Sequence, residues 1–307
     1  MTWYSRNGLQ LLAADPTFQG EVRFEEPMSR HTTYRIGGPA YCWAQADSMD
    51  ALVRLMKVCA EEGFPYTAVG KGSNLLVSDE GYRGVVVCLG GSFKQWNFDQ
   101  ASMIMTAGAA APLSRIVQEA FRHGVSGMEF AVGTPGTVGG ALRMNAGTDH
   151  EWLGAAVVSV TTYKPNVGLV MHKGREVRWE YRRSSLPRDE IVVECELSVK
   201  PGNGEIIRAK MDEALARRKR TQPLDLPSCG SVFRNPEGRS AAQLIEAVGL
   251  KGAVAGGAQI SEKHANFIVN VGDATAVDVL TLIREAQVRV DREYGIELQP
   301  EVRFLGF

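Results

Sequence analysis

Three short stretches of this chain carry side chains able to manage a proton and a developing negative charge. The first is Tyr181-Arg182-Arg183-Ser184-Ser185, where an arginine offers the fixed fork of donors that grips a carboxylate or steadies an enolate. The second runs from Pro227 to Pro236 and gathers Ser228, Cys229, Ser231, Arg234 and Asn235 among small residues. Ser231 could give up a proton there, and Cys229 could act as a nucleophile. No histidine lies close in sequence, so the Ser-His-Asp logic of a hydrolase finds little support. The third is Gln299-Pro300-Glu301-Val302-Arg303. Each has an ordinary structural reading as well: an arginine pair at a strand end, a tight turn of small residues, and a glutamate paired with Arg303.

Two glycine-rich stretches could hold a phosphate. In Gly70-Lys71-Gly72-Ser73-Asn74 the glycines allow successive N–H groups to turn inward as an anion nest, and Ser73 and Asn74 add side-chain donors; a plain β-turn is the alternative. The longer stretch runs from Gly133-Thr134-Pro135-Gly136 through Gly139-Gly140 to Asn145-Ala146-Gly147. Here Pro135 is expected to open a short helix whose N–H groups face a phosphate, while Gly139 and Gly140 let backbone approach a flat ligand. Neither stretch has the spacing of a Rossmann fingerprint or a P-loop. A dinucleotide held by them would sit on another fold.

The elements that must position these groups are legible in part. Ser48 caps a helix with Leu52, Leu55, Met56 and Cys59 on one face, ended by Gly63 and Pro65. Strands are expected over 66–69, 75–77 and 85–89, and a helix over 112–123 with Pro112 in its first position and Gly124 at its stop. Short strands follow over 156–200. Beyond Pro201-Gly202-Asn203-Gly204 come a polar helix over 206–220 and two helices opened by Ser240-x-x-Gln243 and Thr275-x-x-Asp278 capping boxes. The second of these turns Val279, Ile283, Ala286 and Val290 to one side, and a final strand is expected over 297–305. The first thirty residues carry little pattern, and no repeat or low-complexity segment occurs. Boundaries near 90 and 203 divide the chain.

Composition narrows the class. The 307 residues suffice for two or three domains, and 44% apolar with 22% charged residues is ordinary for a globular chain. A formal net charge of −1 provides no global field for a nucleic acid, so any charged ligand is held locally. The basic run Arg217-Arg218-Lys219-Arg220 complements a helix dipole, or holds a diphosphate. Five scattered cysteines without a C-x-x-C pair support neither a disulfide framework nor a zinc site, and fit a reducing cytoplasmic setting. Met1 to Arg6 lacks the basic-then-apolar pattern of a signal peptide, and no apolar run reaches membrane-spanning length.

Taken in order, the motifs resemble those of the UDP-N-acetylenolpyruvoylglucosamine reductase (MurB) family over roughly residues 30 to 306. The anchors are Thr33-Tyr34-Arg35-Ile36-Gly37-Gly38, Gly72-Ser73-Asn74, Gly127-Met128-Glu129-Phe130, the 133–147 stretch, Tyr181-Arg182-x-Ser184, Cys229 to Pro236, and Pro300-Glu301-Val302. Seven ordered motifs at this spacing form a specific signature. The resemblance implies an α+β fold: a two-subdomain FAD-binding fold of the vanillyl-alcohol-oxidase (PCMH) type over 1–88 and 89–203, a C-terminal α/β substrate-binding domain over 204–303, and a short tail, 304–307. It implies non-covalent FAD, with contacts from Tyr34, Gly70, Lys71, Gly72, Ser73, Asn74, Gly133, Thr134, Pro135, Gly136, Gly139, Gly140, Asn145 and Gly147.

The resemblance also implies a reaction. NADPH reduces the flavin, NADP leaves, and an enolpyruvyl UDP-sugar takes its place to receive the hydride. Arg182 would steady the enolate-like charge, Ser231 would supply the proton and Glu301 would assist. An ionised carboxylate beside that charge would raise the barrier. Glu301 is therefore either protonated in a low-dielectric site or held off to orient a water or Ser231. Arg234, Asn235 and Lys251 match substrate-contacting positions, and Arg220, beside Thr221, is the basic residue expected to serve at the phosphate. Thr221 stands where many relatives have lysine, and Thr148-Asp149-His150 replaces a common Ala-Tyr-Gly. No long insertion carries a substrate-gripping tyrosine, which points to the shorter, type II class, acting as a cytoplasmic monomer. The alternatives are an FAD oxidase of another small substrate and a nucleotide-binding protein without catalysis.

Overall fold

The computed structural model describes residues 7–148 and 150–307. The expectations drawn from Met1 to Arg6 and from Asp149 lie outside the described residues. Contacts divide the described residues into two units: one formed by 7–24, 42–70 and, apart from 149, 84–215, the other by 25–41, 71–83 and 216–307.

The first unit contains two sheets. Gly20–Pro27, Pro39–Ala46, Tyr82–Leu89 and Tyr66–Ala68 lie side by side in that order, with Tyr66–Ala68 parallel to Val85–Val87. Helix α1 is Asn7–Ala14 and α2 is Met49–Glu61. Ser48 opens α2 by accepting the Ala51 N–H at 3.2 Å, and the expected face of Leu52, Leu55, Met56 and Cys59 is buried. α1 and the Gly20–Pro27 strand gave no readable pattern. The helix buries Leu9 and Leu12, and in the strand Val22 and Phe24 alternate with Glu21, Arg23 and Glu25, a polar/apolar run of only five residues.

A five-stranded antiparallel sheet follows, ordered Gly168–Lys173, Val157–Lys164, Ile191–Ser198, Ile104–Gly108, Trp96–Asp99. Helices α3 (Leu113–Arg122) and α4 (Val138–Arg143) share a core with it, in which Leu113, Ile116, Val117 and Leu142 meet Met105, Val160 and Leu197. Pro112 is the N-cap of α3 in extended conformation, one residue outside the expected position. Helix α5, Gly204–Thr221, is polar as expected, and Ile207 is the residue it buries fully.

The second unit packs α6 (Ala241–Ala247) and α7 (Ala276–Tyr294) with a small antiparallel sheet of Val254–Ala255, Ala258–Ile260 and Ile268–Asn270. Both halves of the Thr275 capping box are made. Asp79 adds a cap from far along the chain: its carboxylate accepts the Ala276 N–H at 2.8 Å and the Val277 N–H at 3.1 Å. A negative charge on two otherwise unpartnered donors at a helix start stabilises both the hydrogen bonds and the dipole. Asp79→Ala is expected to cost about 1–2 kcal/mol. It should appear as a lower urea midpoint with unchanged m-value, and Asp79→Asn should recover part of the loss.

The last strand is shorter than its sequence suggests. Arg303–Leu305 pairs in parallel with Leu75–Val77, while the segment before it makes one isolated antiparallel bridge, Phe233 to Pro300. Pro300 has no N–H to extend a ladder, which confines the regular strand to the residues after it.

Candidate functional site

In the first unit the loop after Tyr66–Ala68 ends at Gly70, where a Cβ would lie 2.4 Å from Thr137 Oγ1; a glycine there lets the two glycine-rich stretches touch. Among the described residues the N–H groups of Gly70, Lys71, Gly72 and Ser73 have no protein acceptor. Gly72 has φ +63°, and a Cβ on it would meet His31 O at 2.2 Å. A run of uncommitted amides on backbone too tight for a side chain is the physical form of an anion nest.

The second stretch behaves differently from its sequence reading. α4 begins at Val138, capped by Thr137, because Gly136 at φ +115° cannot belong to a helix; Pro135 precedes that break and opens nothing. The Val138 and Gly139 N–H groups donate to Ala111 O and Ala109 O, both at 2.9 Å, and Gly140 N–H points to Thr137 Oγ1. The helix start is thus spent on protein and does not face a phosphate. The donors left are the amides of Gly133, Gly136 and Thr137, which have no acceptor among the described residues, while Thr134 N–H is tied to Ala131 O. Gly140 is exposed, and a Cβ there would find only Thr137 Oγ1 at 3.6 Å.

Two further expected cofactor contacts need correction. Tyr34 is 1% exposed in the apolar core of the second unit, its hydroxyl against Cys229, so its ring is a packing element. Asn145 is 4% exposed and both ends of its carboxamide are committed, Nδ2 to Glu180 O at 3.0 Å and Oδ1 to Gly154 N–H at 2.9 Å. Gly147 offers its carbonyl to Arg182 Nη1 at 2.7 Å.

Arg182 occupies the turn of a hairpin made by Trp179–Glu180 and Arg183–Ser184. Its φ is +56°, a region that costs a non-glycine residue about 1 kcal/mol and that clusters at functional sites. The guanidinium lies 5.2 Å from the Tyr181 ring centroid, close enough for cation–π attraction.

In the second unit Ser231 and Glu301 are brought together across seventy positions of sequence by backbone pairing. Val232 O accepts the Glu301 N–H at 2.7 Å, and Arg234 N–H reaches Gln299 O at 2.9 Å. From the other side Asn266 grips the same segment: its carbonyl takes the Val232 N–H at 2.8 Å, Oδ1 takes the Phe233 N–H at 2.9 Å, and Nδ2 donates to Phe233 O at 2.8 Å. Asn74, expected as a phosphate donor, gives its Nδ2 to Glu301 O at 3.1 Å while its own carbonyl takes the Arg303 N–H at 3.0 Å. These bonds fix the backbone on which both side chains stand. Cys229 is poorly suited to be a nucleophile: it is buried, and burial pushes its thiol up to about 12, far from the thiolate form that attacks.

Of the expected substrate contacts, Arg220 is exposed in the last turn of α5, and Arg234 is half-buried with a buried Nε that lacks a hydrogen-bond partner. Asn235 is exposed but lends Oδ1 to the Ala241 N–H at 3.1 Å, opening α6. Lys251 pairs with Glu246 at 2.8 Å. His264, which sequence reasoning passed over, is held below the ordinary histidine range by burial and by the Lys251 charge, and its Nδ1 accepts the Asn266 N–H at 3.3 Å.

Residues 40–170 match the model of an FAD binding domain, and residues 222–305 match the C-terminal domain of UDP-N-acetylenolpyruvoylglucosamine reductase. A reductase of that name from Heliobacterium modesticaldum is 47% identical over 94% of this chain and 92% of its own length. The chain belongs to the UDP-N-acetylenolpyruvoylglucosamine reductase family. A second relative, from Syntrophus aciditrophicus, is 43% identical over 94% of this chain and 93% of its own length. The crystal structure of the Thermus caldophilus reductase superposes with a TM-score of 0.81 at 37% identity, covering 93% of this chain and 98% of that one. This reductase family member is thus an α+β flavoprotein, an FAD-binding fold followed by the family's C-terminal domain, and FAD is its cofactor. Within the first unit the open amides of Gly70, Gly133, Gly136 and Thr137 are donors of the kind that a diphosphate takes. Among the described residues no helix is long and apolar enough to cross a membrane, and no cluster of potential metal ligands occurs.

Sequence reasoning on this reductase family member missed three positioning groups: Asn266, Asp79, and the use of Asn145. Each acts on backbone 33, 197 or 35 residues away, so no local pattern announces it.

Proposed function

We propose that this chain reduces the enolpyruvyl group of UDP-N-acetylenolpyruvoylglucosamine to give UDP-N-acetylmuramate, a step of peptidoglycan precursor synthesis, with NADPH as reductant. The observation that carries the reading is the pairing of the Ser231 segment with the Glu301 segment, which sets an alcohol and a carboxyl group on one braced piece of backbone. Bound FAD would supply the hydride chemistry that links reduced nicotinamide to the alkene and that no side chain offers. The remaining work belongs to side chains. Arg182 binds the substrate carboxylate and steadies the charge that builds on the neighbouring carbon. Ser231 gives its hydroxyl proton to that carbon. An alcohol is a weak acid at neutral pH, so its contribution depends on position, which the Asn266 clamp provides. Glu301 assists as a neutral hydrogen-bonding group or by orienting Ser231.

The amides of Gly70, Lys71, Gly72, Ser73, Gly133, Gly136 and Thr137 support the FAD diphosphate, and the exposed Gly140 keeps a side chain away from it, whereas Gly139 is small because it packs on Ala109. Arg220, Arg234, Asn235 and Lys251 receive the UDP-sugar. The protein works as a cytoplasmic monomer, with neither nucleic acid nor membrane as partner. The test is direct. Purified protein should be yellow, bleach with NADPH without oxygen, and regain colour when enolpyruvyl UDP-N-acetylglucosamine is added. Protein that stays bleached with that sugar, yet recovers with oxygen, is an oxidase of something else.

A further inference from the structure

α4 ends in a motif that has no need of an asparagine. Ala146 N–H returns to Ala141 O at 2.8 Å and Asn145 N–H to Leu142 O at 3.2 Å, with Asn145 left-handed at φ +43°. These are the two bonds of a Schellman cap, whose left-handed position is usually glycine. Asparagine tolerates this turn on its own account, and the contacts of its carboxamide show a further use. Asn145 Nδ2 donates to Glu180 O, the last residue before the Tyr181-Arg182 turn, while Oδ1 holds the Gly154 N–H. The same short segment touches the hairpin twice more. Gly147 O receives Arg182 Nη1 at 2.7 Å, and Arg143 O receives Ser184 Oγ at 3.3 Å. The strained backbone of Arg182 is therefore over-determined from one side, and Asn145 lies in the middle of that brace.

We propose that Asn145 is a positioning residue for Arg182: it fixes the hairpin turn so that the guanidinium, braced on Gly147 O, keeps one orientation. This rests on the reading of Arg182 as the group that steadies the substrate's charge. It assigns Asn145 to the second half-reaction rather than to FAD binding.

Two variants separate the possibilities. Asn145→Gly keeps the Schellman backbone and removes the carboxamide. Asn145→Asp tolerates the same φ and retains the acceptor for Gly154, but loses the donor to Glu180. Each is compared with the parent, with Arg182→Ala and with the double variant, by FAD content per protein, melting temperature, NADPH reduction of the flavin, and anaerobic reoxidation by the enolpyruvyl UDP-sugar. FAD content and flavin reduction are expected to stay within about twofold, while reoxidation slows about ten- to a hundredfold, the scale set by an ångström of misplacement. On the Arg182→Ala background, removing Asn145 should change reoxidation by less than about twofold, because the effect runs through Arg182. Loss of FAD, equal slowing of both half-reactions, or effects that multiply in the double variant would overturn the proposal. Normal reoxidation in both Asn145 variants beside a crippled Arg182→Ala would sink it alone. Normal reoxidation in Arg182→Ala would instead remove the reading beneath it. Should one Asn145 variant fail to fold, the other carries the same comparison.

Discussion

Ser231→Ala is expected to leave flavin reduction by NADPH within about twofold of the parent and to slow reoxidation by the enolpyruvyl UDP-sugar by about a thousandfold, inside the range for a positioned general acid. The asymmetry follows from which half-reaction needs a proton at carbon. Hydride transfer from nicotinamide to flavin asks nothing of the alcohol. Delivery to the alkene leaves a carbanion-like centre that must be quenched. The backbone under Ser231 will not move in the variant, because Val232 and Phe233 are held by Asn266 on one side and Val232 by the Glu301 N–H on the other. Stopped-flow absorbance of the two half-reactions, done without oxygen, reads both rates on one sample. Equal loss in both would mean that Ser231 is a packing residue and that the proton comes from elsewhere.

The same pair of segments shows where sequence reasoning succeeds and where it stops. The Cys229 to Pro236 and Pro300 to Val302 motifs are local and could be read, as could the apolar face of α2 and the capping box of α7, since a helix period and a cap are nearest-neighbour physics. That Pro300 would break its own strand could also have been foreseen from its missing N–H. What no window of sequence contains is the bracing. Asp79 reaches the start of α7, and Asn266 reaches Phe233, with ordinary polar side chains that would pass for surface residues. Asn145 misled in a different way. An asparagine inside a glycine-rich loop looks like a ligand donor, and only its partners reveal that both ends serve the protein.

The α4 start is the instructive failure at the cofactor. A Pro-Gly-Thr-x-Gly-Gly run invites the picture of a helix dipole aimed at phosphate. Yet α4 is six residues long and its first two N–H groups close onto Ala111 and Ala109. The glycines serve approach and turn geometry, with Gly139 packed so that a Cβ would sit 3.0 Å from the Ala109 methyl. The amides left without a protein acceptor are instead non-helical ones, before α4 and after Tyr66–Ala68.

Removing the Arg182 side chain bears on the other half of the chemistry. Arg182→Ala is expected to slow reoxidation by the enolpyruvyl UDP-sugar about a hundred- to a thousandfold, the usual consequence of losing one donor aimed at developing charge. It should also weaken sugar binding, because the same fork meets the substrate carboxylate before the reaction starts. Arg182→Lys separates these. A lysine restores the positive charge but offers a point ammonium where a planar fork spanned Gly147 O and an anion, and its shorter reach leaves that carbonyl unserved. Binding of the carboxylated sugar, followed by its perturbation of the oxidised flavin spectrum, should recover most of its strength in Arg182→Lys. Reoxidation should remain at least about tenfold slow. Full recovery of both by lysine would mean that charge alone suffices. The left-handed turn, and the brace that holds it, would then be structural features with no part in orienting the guanidinium.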